Sequence, residues 1–390
     1  MNSTEIILQE RKEAGQISLY IHFPWCLRKC PYCDFNSYVL PKSKTESQVG
    51  YVDLLLIDLE NEAKRTPSFN LRSIYFGGGT PSLLPPSAVK KIINRALDLF
   101  SFAPDIEITL EANPGTINLE LCGGFKDAGI NRISLGVQSF SDEKLKSIGR
   151  IHDAKQAQDA VCVIKQTGFY NFNLDMMFGL PRQSIDDAMD DLRIALNFAP
   201  PHFSWYQLTL EPNTIFAAKP PIVPYGEELW NIQQAGQDLL AQSGWSQYEV
   251  SAYSTPGFEC QHNVNYWQYG DYLGIGAGAH GKITLADGLV ARYWKIANPK
   301  KYFQEQNTFT AGEKIVTFKE RPFEFMLNAF RLYRPISYAL FRERTGVTID
   351  VIANELQQAE SLGLVELQKD AVITTIHGRN FLNDLLEIFL

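Results

Sequence analysis

The chain has 390 residues, 45% of them hydrophobic and 21% charged, with a formal net charge of −8. That is an ordinary globular balance, long enough for one large α/β domain and an appendage. The net acidity argues against a nucleic-acid partner, and no apolar run reaches the length of a bilayer span. Residues Met1 to Glu10 lack the basic and apolar regions of a secretory signal, so the cytoplasm is the expected location. There the six cysteines read as metal ligands or free thiols, not as a disulfide framework.

Residues 1–16 are polar and read as an N-terminal extension. From Ile17 onward, strand-like and helix-like patterns alternate. Strands are predicted at Ile17–His22, Ser73–Phe76, Ile106–Glu111, Arg132–Gly136, Phe172–Asp175 and Phe203–Leu208. Apolar residues at three- and four-residue spacing predict helices at Tyr51–Ala63, Ala88–Leu99, Glu143–Ile148, Ala157–Lys165 and Ile185–Phe198. Alternation of this kind implies a parallel sheet with right-handed crossovers. Six such units predict an α/β fold, a partial (β/α)6 barrel over residues 17–215.

The first strand runs into Cys26-Leu-Arg-Lys-Cys30-Pro-Tyr32-Cys33-Asp-Phe35, with cysteines spaced C-x3-C-x2-C. Three thiolates on one tight loop suit three corners of a [4Fe–4S] cubane and leave the fourth iron open to another ligand. Pro24 and Pro31 stiffen the loop, and Arg28 and Lys29 put positive charge beside sulfurs that must stay deprotonated. A zinc site with His22 as fourth ligand is the competing reading. Zinc sites come as paired C-x2-C or Cys/His motifs, and no second pair stands elsewhere in the sequence.

The remaining informative polar residues follow the other strands. Gly77-Gly78-Gly79-Thr80-Pro81 follows the second, Glu111-Ala-Asn113-Pro ends the third, Gln138 follows the fourth, Asp175 ends the fifth and Gln207 lies at the sixth. The C-terminal rim of such a barrel is where sites are built, and these residues meet the cysteine loop there. The glycines let backbone approach a ligand closely. Glu111 and Asp175 offer acceptors to hydroxyl or ammonium groups, Gln138 offers both donor and acceptor, and Arg150 can clamp a carboxylate. Each also has a plain reading as a turn or rim salt bridge, and Tyr20 either packs in its strand or stacks near the cluster.

Residues 216–310 read as a connector region. It holds Pro220–Pro224, a helix at Glu227–Gln242, a strand at Tyr248–Tyr253, an aromatic stretch from Cys260 to Gly270, and the glycine run Leu273–His280. The glycine run permits close backbone approach; without a strand-plus-helix context it is a weak phosphate cradle. Residues 311–390 predict a C-terminal, mainly helical domain with helices at Phe323–Tyr333, Ser337–Arg344 and Ile349–Ser361. A hairpin at Leu364–Ile376 and a last helix from Phe381 make it winged-helix-like. Its 9 basic and 11 acidic residues speak against reading DNA, and a lid or partner-docking role fits better.

The cysteine loop and the glycine triplet together resemble the radical S-adenosylmethionine (SAM) superfamily. Over nearly its whole length the chain is similar to the oxygen-independent coproporphyrinogen III oxidase group. The matching segments are Tyr20-Ile-His-Phe-Pro-Trp-Cys26, Gly77 to Ser82, Glu111 to Pro114, Leu135 to Phe140, Ile148-Gly-Arg-Ile-His152 and Asp175 to Pro181. The resemblance implies a cluster on Cys26, Cys30 and Cys33 with SAM at the open iron. It implies SAM contacts by Tyr20, Tyr32, Gly77, Gly78, Gly79, Thr80, Glu111, Gln138, Arg150 and Asp175, and reductive cleavage of SAM to methionine and a 5′-deoxyadenosyl radical.

Two features separate branches of that group. The decarboxylase has a fourth cysteine where this chain has Phe35, and His262-Asn263-Val-Asn-Tyr266-Trp267 is similar to the H-N-x-x-Y-W pattern of a haem-chaperone branch. That branch implies haem as cargo, contacted by His262, Asn263, Tyr266 and Trp267, with Cys260 and His280 as further axial candidates. It also implies recipient haem proteins, an electron donor and peripheral contact with membrane haem proteins, and it is compatible with a homodimer. From the residues alone the stretch reads as loop hydrogen bonds and core aromatics. The alternative expectation is an oxidative decarboxylase of coproporphyrinogen III. No catalytic residue is assigned.

Overall fold

The computed structural model describes residues 15–41, 44–66, 69–305 and 308–390, without the side chains of 44–49. The predicted N-terminal extension therefore falls outside the described residues except for Gly15 and Gln16, which begin the first strand. The six predicted strands are present and parallel: β1 (Gly15–Phe23), β2 (Phe69–Gly78), β3 (Ser101–Ala112), β4 (Arg132–Gln138), β5 (Phe172–Phe178) and β6 (His202–Gln207). Each pairs in parallel with the next. The helices between them include Lys44–Arg65, Pro86–Leu99, Ala154–Gln166 and Ile185–Asn197. Side-chain caps start the last two: Asp153 accepts from Gln156 N at 2.7 Å and Ser184 Oγ from Asp187 N at 3.1 Å, each satisfying an otherwise orphaned helix donor.

Strand residues alternate between two environments. Leu19, Ile21, Ile74, Phe76, Leu110, Leu135, Leu174 and Phe203 point outward into one apolar cluster under the helices. The inward positions are polar: Ser18, Tyr20 and His22 on β1, Ser73 and Tyr75 on β2, Glu107 and Glu111 on β3, Ser134 on β4, Asn173 and Asp175 on β5. They bond to one another, as in Ser73 to Ser18 and Asn173 to Asp175.

The region read as a connector extends both edges of the sheet. β7 (Ser246–Glu249) and β8 (Ala252–Ser254) continue antiparallel beyond β6, splitting the predicted Tyr248–Tyr253 strand at a turn. β9 (Asp271–Ile275) pairs in parallel with β1, and β10 (His280–Thr284), β11 (Val290–Lys295) and β12 (Thr310–Val316) follow antiparallel. The spatial order is β12-β11-β10-β9-β1-β2-β3-β4-β5-β6-β8-β7. The glycine run is thus the turn from β9 to β10, a strand context the sequence reading missed.

The outer strands hold buried cations. Lys282 meets Asp271 at 2.9 Å, and Lys295 meets Asp58 at 2.6 Å and Glu62 at 2.7 Å. Asp58 also accepts from Tyr302 at 2.7 Å and from the Gly276 backbone at 3.1 Å, so one carboxylate joins the first helix, β11 and the glycine run.

In the C-terminal part, helices Arg321–Ala329, Tyr338–Thr345 and Ala353–Ser361 pack with a small sheet of Ile336–Ser337, Val365–Leu367 and Ala371–Thr374 around their own apolar cluster. The predicted hairpin is present, and the first predicted helix ends at Ala329, four residues early. Among the described residues no helix is long and apolar enough to cross a membrane.

Lys295 tests how much the outer strands depend on one ion cluster. Asp58→Ala removes the shorter of its two carboxylate contacts and leaves a buried ammonium under-compensated, at an expected cost of about 3–5 kcal/mol. Thermal unfolding should register a clear drop in midpoint. An unchanged midpoint would mean that Lys295 is hydrated in solution.

Candidate functional site

The C-terminal ends of β1–β6 surround a cavity of about 400 Å³, within the range of small-ligand sites. Its wall includes Cys26, Cys30, Tyr32 and Cys33 from the loop after β1, Gly78, Gly79 and Thr80 after β2, Glu111 of β3, Gln138 of β4, Arg150 and Asp175. Eleven of the expected cofactor and metal contacts therefore converge on one space.

The cysteine loop is closed at its base, where Trp25–Cys26 pairs with Tyr38–Val39. Inside it, Lys29 Nζ donates to the carbonyls of Phe35 at 3.0 Å and Ser37 at 3.1 Å. Asn36 ties the loop to the far side of β1. Its amide donates to the carbonyls of Ala277 at 3.0 Å and Ala297 at 2.8 Å. Gly278 sits at φ +85°, and a Cβ there would lie 2.2 Å from Asn36 Nδ2. The glycine run thus serves close approach, and what it approaches is the cysteine loop.

His22 is excluded as a zinc ligand. Its Nδ1 bonds Tyr20 Oη at 3.0 Å and its Nε2 bonds the Asn36 carbonyl at 2.9 Å, so both ring nitrogens are engaged. Among the described residues no three His, Cys, Asp or Glu side chains gather tightly enough to ligate one ion. A cubane takes one thiolate per iron, and Cys26, Cys30 and Cys33 all line the one cavity. Burial pushes the Cys26 thiol up, so a thiolate there calls for nearby positive charge. Arg150 supplies some, with one guanidinium nitrogen 3.9 Å from Cys30 Sγ and another donating to the Gly136 carbonyl at 2.6 Å and to Asn113 Oδ1.

Two carboxylates face the cavity. Glu111 accepts from Tyr75 Oη at 3.0 Å and from Gly78 N at 3.1 Å; burial, and then the charge of Asp175, pushes its carboxyl up to about 7. Asp175 accepts from Ser134 Oγ at 3.1 Å and Asn173 Nδ2 at 2.7 Å, and burial raises it too. Both are poised to gain from hydrogen-bond donors or positive charge on a ligand. Gln138 holds a left-handed φ of +72°, a strained backbone of the kind that collects at functional sites. Its Oε1 accepts from Tyr206 Oη at 2.8 Å. Tyr206 lines the cavity and was missed; counting by twos from His202 along β6 would have found it.

Two expected contacts lie behind the wall. The Tyr20 ring fills the space where a Gly77 Cβ would stand, 2.8 Å from its nearest ring carbon. Gly77 therefore makes room for Tyr20, and neither lines the cavity.

The H-N-x-x-Y-W stretch forms the helix Gln261–Trp267 and is not brought to the cavity. It closes the opposite, N-terminal end of the barrel. Glu107 accepts from Gln261 N and His262 N, both at 3.2 Å, and from Cys260 Sγ at 3.5 Å. His262 turns inward, with Nδ1 3.0 Å from Ser73 Oγ, and burial pushes its imidazole down to about 3. Tyr266 is exposed and meets Trp267 edge-on at 5.2 Å; Asn263 is half-buried. The four residues expected against haem thus lie on this floor helix, away from the cavity, where His262 turns inward and the exposed Tyr266 lies beside Tyr272 at 5.2 Å.

Residues 20–195 match the family model of the radical SAM superfamily, and residues 316–381 match that of the HemN C-terminal domain. The chain is 46% identical over 374 residues to a protein of Escherichia coli named heme chaperone HemW, covering 96% of this chain and 98% of that one. A Haemophilus influenzae protein of the same name is 46% identical over 378 residues, with 96% and 98% covered. One from Bacillus subtilis is 32% identical over 384 residues, with 96% and 99% covered. The solved structure of the E. coli coproporphyrinogen III oxidase HemN superposes with a TM-score of 0.81 at 22% identity, over 98% of this chain and 91% of that one; this likeness speaks for the fold. Superfamily membership implies SAM and a [4Fe–4S] cluster. With relatives this close along nearly the whole sequence, the chain belongs to the HemW family of the radical SAM superfamily.

Proposed function

We propose that this chain is a haem chaperone: it binds haem and hands it to recipient haem proteins, while its barrel carries a [4Fe–4S] cluster and SAM. The observation that carries this reading is the 46% identity, over 96% of the chain, to a protein named heme chaperone HemW. Phe35, at the position of the oxidase's fourth cysteine, supports it. That side chain stands on the cavity rim with 60% of its surface exposed, and an apolar ring there cannot ligate iron.

In this reading Cys26, Cys30 and Cys33 would hold three corners of the cluster. The backbone at Gly78 and Gly79, with Glu111, Gln138, Arg150 and Asp175, would hold SAM against the open corner. Reduction of the cluster supplies the electron for SAM cleavage, so an electron donor is a required partner. The protein's own part is to position SAM, satisfy its polar groups and exclude water. Residues 17–215 would serve as the cofactor barrel, 216–310 as its support, and 311–390 as a docking or lid domain. The cytoplasm fits a chain whose cluster thiols must stay reduced.

Three experiments test this. Anaerobically reconstituted protein, given SAM, a reductant and coproporphyrinogen III, should yield no protoporphyrinogen, while a haem titration should give a saturable Soret band. Stoichiometric protoporphyrinogen without haem binding would reverse the reading in favour of the oxidase. Cys30→Ser should abolish the cluster's visible absorbance and most of the bound iron; iron content equal to wild type would sink the cluster assignment.

The third concerns pH. Because Glu111 is pushed up to about 7 and binds donors best when ionised, SAM affinity should hold above neutrality. It should fall by up to about tenfold per pH unit as acid protonates Glu111. Glu111→Gln should weaken binding at pH 8 by about tenfold and remove the component of the pH dependence centred near 7. Persistence of that component in the variant would assign it to another group.

A further inference from the structure

The helix Gln261–Trp267 adds no strand to the sheet, yet it places one imidazole inside the barrel beneath the cavity. Ser73 Oγ donates to Ser18 Oγ at 2.8 Å. Its lone pairs are therefore left for an N–H at His262 Nδ1, 3.0 Å away, which puts the imidazole proton on Nδ1. The ring lies against Tyr75, with centroids 4.9 Å apart, and beside Tyr20 at 6.3 Å. Tyr75 in turn donates its hydroxyl proton to Glu111 at 3.0 Å. A continuous contact therefore runs from the helix through Tyr75 to a carboxylate on the cavity wall.

The helix is held as a fixed backing. Glu107 takes its first two backbone N–H groups. Cys260 N donates to Tyr248 Oη at 3.2 Å, and Tyr248 Oη bonds His202 Nε2 at 2.8 Å. At the other end Asn265 donates to the Asp271 carbonyl at 2.9 Å. Through Nδ1 the imidazole is tied to Ser73, and its ring face is taken up by Tyr75.

We propose that His262 is a positioning residue for the SAM cavity: packed behind Tyr75, it holds the ring whose hydroxyl orients Glu111. This rests on the reading of the cavity as the SAM site. A tyrosine ring backed on one face by a fixed imidazole has fewer orientations to lose when Glu111 engages a ligand. The groups that face Glu111 are Tyr75 of β2, Tyr20 of β1 and Asp175 of β5, with Arg132 of β4 acting on Tyr75; Arg150 and the cysteine loop line the same cavity. Tyr75's hydrogen bond lowers the carboxyl's pKa, so a displaced Tyr75 raises it.

The test measures SAM affinity by equilibrium dialysis on cluster-reconstituted wild type, His262→Ala, Tyr75→Phe and the double variant between pH 6 and 8, with haem titrations in parallel. Each single variant should weaken SAM binding by about tenfold and move the pH midpoint of binding upward. The double variant should be no weaker than the worse single, because both act through one contact. His262→Phe keeps a ring against Tyr75 and should restore affinity, which also covers the case that His262→Ala fails to fold. Haem binding should stay at wild-type strength throughout. Wild-type SAM affinity and midpoint in His262→Ala, or loss of the Soret band in His262→Phe with SAM binding intact, would overturn the inference. A wild-type chain that binds no SAM would instead remove the cavity assignment beneath it.

Discussion

The constraint behind the rest of this structure is that the barrel's interior is polar and closed. Strands that bury one face under helices normally need little from the other face. Here the inward face carries Glu107, Glu111, Arg132, Asn173, Asp175 and His202, nearly all shielded from solvent. An ionisable group in such a place costs several kcal/mol unless neighbours satisfy it. The strands meet this in layers: Glu107 is capped by the floor helix, Asn173 links His202 to Asp175, and Tyr75 and Gly78 hold Glu111. At the upper end Glu111 and Asp175 are pushed up by burial and face the cavity. The site is the place where the polar network meets a cavity that a ligand can fill.

The same constraint sorts what the sequence discloses from what it conceals. Strands β1 to β6 are legible because their outward apolar residues recur every second position under amphipathic helices. The cysteine loop is legible because its spacing carries chemistry by itself. Strands β10 to β12 are not, because a strand such as Val290-Ala-Arg-Tyr-Trp-Lys295 has a buried lysine where a reader expects an apolar residue. Lys295 is buried only because Asp58 and Glu62 reach it from a helix more than two hundred residues earlier. Pairing over that separation leaves no local pattern. Tyr20 is subtler: its motif marks it as important, yet its ring stands behind Gly77 and bonds His22, a placement no local pattern discloses.

The glycine run shows how a correct physical reading can lack its object. Close backbone approach is what Leu273–His280 achieves, and the partner is neither phosphate nor ligand but Asn36 on the cysteine loop. Through that side chain the loop is fastened to β9 and, by way of Gly276 and Asp58, to the ion cluster that secures β11. Rigidity at the cysteines therefore comes from a part of the chain that looks like a connector. A site that must hold three sulfurs around one cluster gains from such support, since looseness of a fraction of an ångström weakens every ligand at once.

Phe35 and His262 then divide the functional question between the two ends of the barrel. Phe35 stands at the open end, exposed on the rim where a cysteine would add a thiolate. His262 lies beneath the cavity at the floor, neutral and bonded to Ser73. A cargo as wide and apolar as haem needs an accessible surface, and the exposed ring of Phe35 offers one at the rim. The floor imidazole has instead the attributes of a built-in support: fixed tautomer, aromatic contact and a helix anchored at both ends. Cofactor geometry is thus set from below and access from above, and the residue that most distinguishes the H-N-x-x-Y-W stretch belongs to the lower half.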